Sequence, residues 1–564
     1  MRSCLILSIL AAFAVFGAAA EQRSPTEEQQ KQMFRRFPEA DLNKDGKLTP
    51  EEFREFRSKR QTGAAAASPR LSTAAADPSS ATALSARSAD APAAGPVAIE
   101  IAPGKATPVN PRVYGIICEE MFVKDLVDEP EYIEALTDLQ FKAFEFPGGS
   151  VSYYHHPEGA GGFNVRPEEV AKSKHGEQSR FMDRSPGPDH LEQYIQFVKA
   201  SGGSALFVAN ILNGTVDELD KYLARLRAAQ VPIACVILGV EMHLGQPGRL
   251  GLDWYVERIK PYFPMLQSKY PDVPIVLHST PVGRVGDRAQ ASIHEWNQSL
   301  ARLPGIAGYS QYGWPEFGGQ ARLNSSSGAA SAKTPAEIFA QYDEFTRDFP
   351  TVQIPAYQKD WGDKKRMYML QWGTHADRNT PVQGLHIANF YFFLAQYNAA
   401  HDNYFAAATS ALNLAQSVSQ NRPGHEGTLY KKDIALLAPY FYTKPFRHLF
   451  SGDKKLLAAS VKAPANGAGT QAVKALAAAG PDGRTYLYLL NSGAAVSLGK
   501  VAMDGKALPA GLRVQVESAF GGEASAVGAA RGASAPVKTF TGDKDLNGLV
   551  LEPFSLTLLI LPKP

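Results

Sequence analysis

The sequence is short of cysteine, of charge imbalance and of long apolar runs, and each shortage removes a class of protein. Three cysteines in 564 residues cannot staple a scaffold of this size. Cys4 precedes the first apolar run, whereas Cys118 and Cys235 lie inside apolar strand-like runs, so buried free thiols are expected rather than a disulfide. Lysine and arginine number 58 against 56 acidic residues, a formal charge of +2. Without long blocks of one sign, that balance implies neither nucleic acid nor an acidic membrane surface as a partner. The chain has no phosphate-cradling glycine loop of the P-loop or dinucleotide type and no G-x-S-x-G nucleophile elbow. His155, His156 and Glu158 in "YYHHPEG" suggest a metal, but adjacent histidines rarely face one ion and no H-x-x-x-H pair occurs. A loop with a substrate contact, or with no special role, is the expectation there.

What is present is 44% hydrophobic and 10% aromatic content, enough for several domains and a large core. Residues 1–20, "MRSCLILSILAAFAVFGAAA", join an early arginine, an apolar stretch and small residues before Glu21, the pattern of a signal peptide. The mature chain is therefore expected to be secreted, periplasmic or at the cell surface, with no membrane contact after cleavage. An uncleaved anchor is the competing reading, although the run is short for a span. Residues 21–60 are polar and helical in pattern, and residues 61–95 form an Ala/Ser/Pro linker that would span roughly 30 Å as a flexible coil.

Within residues 21–60, "DLNKDGKLTPEE" (41–52) fits the calcium-loop pattern D-x-[DN]-x-[DN]-G-x5-E at every fixed position. Asp41, Asn43 and Asp45 offer side-chain oxygens, Gly46 permits the sharp turn, Lys47 offers its carbonyl, Thr49 acts through water and Glu52 closes the site with both oxygens. A capping box at Ser24–Glu27 opens the entering helix, and Thr49–Glu52 caps the exiting one. This segment, residues 26–60, resembles the EF-hand family, which implies Ca2+ as its ligand. A polar turn between two surface helices is the alternative.

From residue 96 to 448 short apolar runs alternate with longer amphipathic segments. "RVYGIICE", "FKAFEFPGG", "ALFVANI", "ACVILGVE", "PIVLHST", "GIAGYSQYGW", "RMYMLQWG" and "NYFAAATSAL" read as strands, and "TVDELDKYLARLRAAQ", "LDWYVERIKPYFPMLQSKY" and "GLHIANFYFFLAQYNAA" as helices between them. That pattern predicts a (β/α)8 barrel with functional residues at the C-terminal strand ends; a doubly wound open sheet is the competing architecture. Residues 449–564 change to short alternating runs such as "RTYLYLLNS" and "SLTLLILP", which predict a β-sandwich. "VAIEIAP" near residue 97 has the same character and would complete that sandwich. The fold class expected is thus multidomain: a single EF-hand, a TIM-type barrel and an all-β sandwich.

"VYGIICEEMF", "FEFPGGSVSYY", "VANILNGT", "VILGVEMHL" and "YMLQWGTH" occur in an order that, with the β-rich end, resembles a diverged α-L-arabinofuranosidase-type glycoside hydrolase of family 51 over residues 112–563. Such retaining enzymes need two carboxyl groups roughly 5 to 5.5 Å apart. The resemblance implies that Glu241, in Gly239-Val240-Glu241, is the acid/base. It places Gln371, in Gln371-Trp372, where the family has its nucleophilic glutamate. It also implies an asparagine at Val240 and an arginine at Glu145. Candidate substrate contacts are Glu119, Glu145, Asn210, His278 and Tyr312 at strand ends, with Trp314 and Trp372 as stacking platforms. Three functional readings follow: a calcium-binding protein whose barrel binds carbohydrate with hydrolysis weakened or lost; an active glycosidase using Glu241 with a relocated nucleophile, Glu145 being one source of the missing charge; and a non-catalytic surface protein. Oligomeric state is not legible in the sequence.

Overall fold

The computed structural model describes residues 96–119, 126, 129–160, 190–242, 251–282, 287–315, 334–374, 379–412, 414–417, 434–462, 472–509, 511–521 and 537–563. They belong to the second of two compact units in the chain, Pro92–Pro564. The signal segment, the linker and the calcium loop from Asp41 to Glu52 lie outside the described residues.

All eight apolar runs form barrel strands: Gly115–Ile117, Ala143–Phe146, Ser204–Val208, Ile233–Ile237, Ile275–His278, Ile306–Tyr312, Arg366–Trp372 and Phe405–Ser410. Consecutive strands pair in parallel, and the pairing of Ser410 with Ile116 closes the ring, which rules out the open sheet. These strands read as continuous apolar runs because parallel strands are covered on both faces, by the barrel interior and by the surrounding helices.

Local chemistry sets the helix limits. The helix Val216–Ala228 starts at a reciprocal capping box between Thr215 and Glu218, and Pro335–Asp348 starts at a second between Thr334 and Glu337. The stretch expected as one helix after the fourth strand is two, Leu252–Ile259 and Tyr262–Lys269. The break falls at Pro261, which has no N–H to continue the ladder. The helix Pro381–Ala400 is buried around most of its circumference, as its nearly unbroken apolar sequence requires.

The β-rich part is a ten-stranded sheet, antiparallel except where Val97–Pro108 runs parallel to Val496–Met503. Val97–Pro108 also pairs antiparallel with Lys455–Lys462, so the chain lays one sheet strand before entering the barrel. The central strand Thr485–Asn491 is buried on both faces. Tyr486, Tyr488 and Leu490 join the barrel-side core, whereas Leu487 and Leu489 join a separate core within the sheet. The period-two alternation of a strand thus welds the two parts together.

Candidate active site

The C-terminal ends of the second, fourth, seventh and eighth barrel strands converge on a carboxyl and amide cluster. Glu145, on the second strand, is wholly buried. Gln371 Nε2 donates to its Oε1 at 2.9 Å and Thr409 Oγ1 donates to its Oε2 at 2.6 Å. The backbone N–H of Gly149 supplies a third hydrogen bond. Burial pushes the Glu145 carboxyl up to about 7, against the opposing pull of those three donors. The positions at which the resemblance expects an arginine and a glutamate are therefore in direct contact, and here they hold a carboxyl and a neutral amide.

Glu241 is half-buried and sits in the left-handed backbone region, φ 52°, as does Gln371 at φ 51°. Non-glycine residues in that region carry strain that surrounding structure must hold, and such residues cluster at functional sites. The Tyr153 hydroxyl lies 3.0 Å from the Val240 carbonyl and 3.3 Å from Glu241 Oε2, fixing the carboxylate against the loop that follows the second strand. Tyr312, on the sixth strand, has a buried hydroxyl with no hydrogen-bond partner among the described residues. Its pKa is raised by burial first, then by the fields of Glu241, Tyr153, Glu145 and Glu119.

Glu119 belongs to the same cluster through Gly149. A Cβ at that position would stand 1.9 Å from Glu119 Oε2, and Gly149 has φ +56°. The glycine is needed both for its backbone angle and to let the carboxylate lie against the main chain.

Other candidates have structural employment. Asn210 donates to the His155 carbonyl at 3.1 Å and accepts from the Asn213 N–H at 2.9 Å, which folds the loop after the third strand. His278 is buried, with Nδ1 3.0 Å from Ser310 Oγ and its ring 4.9 Å from that of Tyr312. Trp314 is 5% exposed. Trp372 is fully buried against Phe390 and Tyr391, whose ring centroids both lie 4.8 Å from its own, so it is core and not a stacking platform. Gln371 turns toward Glu145, whereas Trp372 packs on the helix Pro381–Ala400. His155 and His156 turn onto the helix Val216–Ala228, where they meet Tyr222 and Glu218, and no metal-holding cluster occurs among the described residues. Two contributors were missed in the sequence, Thr409 and Tyr153. Thr409 had a faint signal, a hydroxyl interrupting the apolar eighth strand just before its end.

A closed parallel eight-stranded barrel with a companion β-rich sheet is a fold that this chain shares with solved glycoside hydrolases. Among solved structures, the chain is similar to a GH51 arabinofuranosidase from Xanthomonas axonopodis pv. citri at a TM-score of 0.58 and 15% identity, over 83% of this chain and 100% of that one. It is also similar to an α-L-arabinofuranosidase from Thermotoga maritima in an arabinose complex, at a TM-score of 0.55 and 14% identity over 82% and 99% of the two chains. A third is a family 44 xyloglucanase from Paenibacillus polymyxa, solved with xyloglucan, at a TM-score of 0.51 and 12% identity over 83% and 100%. At such identities the likeness is one of fold. No family model matches the chain, and no curated protein matches it.

Proposed function

We propose that the barrel mouth binds carbohydrate and that retaining hydrolysis there is weakened or lost. The observation that carries this reading is the Gln371 amide donating to Glu145 at 2.9 Å. An amide forms no glycosyl ester and brings no negative charge to an oxocarbenium-like centre. Glu145 is a poor substitute. It is wholly buried, both its oxygens accept hydrogen bonds, and near neutral pH it holds a proton for much of the time. Glu241 retains the position of a proton donor, with Tyr153 to orient it. The solved arabinofuranosidases and xyloglucanase of the same fold support sugar as the ligand class.

Calorimetry with arabino- and xylo-oligosaccharides is expected to show binding that Glu241→Gln preserves, and wild-type turnover of aryl arabinofuranosides is expected to be no faster than that of Glu241→Gln. Robust wild-type hydrolysis abolished by Glu241→Gln would overturn the reading in favour of an active enzyme. Absence of binding to any glycan would favour a structural role.

The calcium loop is a separate proposal that rests on the residue pattern from Asp41 to Glu52. Calcium titration of the full chain should show one site that Glu52→Ala weakens by an order of magnitude or more, because the bidentate ligand is lost. An unchanged titration contradicts the ligand assignment.

A further inference from the structure

A second binding site lies away from the barrel mouth, in a cleft of about 770 Å³ between the helices Pro335–Asp348 and Pro381–Ala400 and the sheet strands Lys455–Lys462 and Val473–Ala479. Clefts where two structural layers meet are common ligand sites. Along the second helix the lining runs from Asn389 to His401, roughly 18 Å at the rise of an α-helix, which suits a short chain of linked rings better than a single one.

The two ends differ chemically. At one end Asp343, with its side chain only 4% exposed, accepts from Asn389 Nδ2 at 3.0 Å and pairs with Lys474 Nζ. The same Nζ donates to Asn389 Oδ1 at 3.0 Å, and Arg347 Nε stands 3.6 Å from Asp343 Oδ2. An ammonium has three donors and a guanidinium five, so Lys474 keeps one and Arg347 keeps its terminal fork after serving Asp343. Both side chains reach solvent, Lys474 at 25% and Arg347 at 58% exposure, and among the described residues that line the cleft Asp343 is the only acidic one. Two cations against one carboxylate leave this end with a surplus positive charge. At the other end the Tyr397 and His401 rings stack at 4.0 Å, offering a flat edge to an apolar ring face. The rim is also unusual in its backbone. Directly after Arg347 and Asp348 the helix widens into a π turn, Phe349–Gln353, which places Pro350 in the lining, and π turns of this kind are frequent at functional sites.

We propose that this cleft binds an acidic oligosaccharide, with the carboxylate of a uronic acid on the Arg347 fork and Lys474 and a neighbouring sugar ring on the Tyr397–His401 edge. The buried Asp343–Asn389 pair preorganises the two cations, so that the ligand need not order them on binding. The assignment does not depend on what the barrel mouth binds.

The test is titration of the full chain with an α-1,4-linked galacturonic acid trimer, with maltotriose as the neutral counterpart. The acidic trimer is expected to bind at least about tenfold more tightly than maltotriose, as one charge-assisted contact allows. Arg347→Gln should weaken it fivefold or more, His401→Ala severalfold, and both variants should melt at the wild-type temperature because both side chains lie at the surface. Failure of the acidic trimer to bind, equal affinity for maltotriose, or undiminished binding in Arg347→Gln would each overturn the assignment.

Discussion

Gln371→Glu is expected to hydrolyse an aryl α-L-arabinofuranoside at least about a hundredfold faster than the wild type, the scale on which one charge-stabilising group changes turnover. A hundredfold corresponds to roughly 2.7 kcal/mol of barrier. The substitution restores a carboxyl at the end of the seventh strand, 2.9 Å from Glu145 as the amide now lies. Two carboxyls at that distance cannot both ionise cheaply, so they titrate as a pair that holds one proton over a broad pH range. Glu145, already pushed up to about 7 by burial, is the member that keeps the proton and donates it to the new carboxylate. The new carboxylate is then ionised and oriented, which a nucleophile requires. Adding Glu145→Arg to Gln371→Glu replaces the shared proton with a fixed cation and should retain the gain while widening the active range toward higher pH. Glu241→Gln in either background should remove the gain. A folded Gln371→Glu protein with wild-type turnover, and a double variant equally silent, would show that the mouth lacks more than its nucleophile.

Much of this fold was legible because a (β/α)8 barrel writes itself in local pattern. Each strand buried on two faces reads as an apolar run, and capping residues such as Thr215 and Thr334 mark where helices begin. The site was legible in part. Glu145, Glu241 and Gln371 stood out as polar residues at strand ends, but their mutual contacts were not. Glu145 and Gln371 are 226 residues apart, and Glu145 and Thr409 are 264 apart. No local periodicity encodes which side chains meet across a closed ring. The misreading of Trp372 had a different cause, for an aromatic residue at a strand end looks the same in sequence whether it faces the mouth or the helices. Only its packing on Phe390 and Tyr391 carries the answer, because the left-handed backbone at Gln371 and the register shift beside it interrupt the strand's alternation. Tyr153 escaped notice because the loop after the second strand follows no period, and only its contact with Val240 and Glu241 reveals its role.

The pH dependence of stability should carry the signature of Glu145. Its folded-state pKa of about 7 stands above the ordinary 4.5, so the folded state holds this proton more tightly than the unfolded chain does. The resulting stabilisation is present in full below about pH 4.5 and is lost as the pH rises through 7, a loss of about 3 kcal/mol at 1.36 kcal/mol per pKa unit. Glu145→Gln has the same shape and no titration. The stability difference between that variant and the wild type, from denaturant unfolding of both at each pH, should therefore move by about 3 kcal/mol in the variant's favour between pH 4 and 8. Taking the difference cancels every other titrating group that the substitution leaves undisturbed. A difference that stays flat across this range would mean that Glu145 is ionised throughout, and the case against it as a replacement nucleophile would fall with that result. Thr409→Val sharpens the test. The Thr409 hydroxyl favours the ionised carboxyl, so its removal should shift the titration to higher pH, whereas a carboxyl already ionised in acid would give no transition near neutrality for the substitution to move.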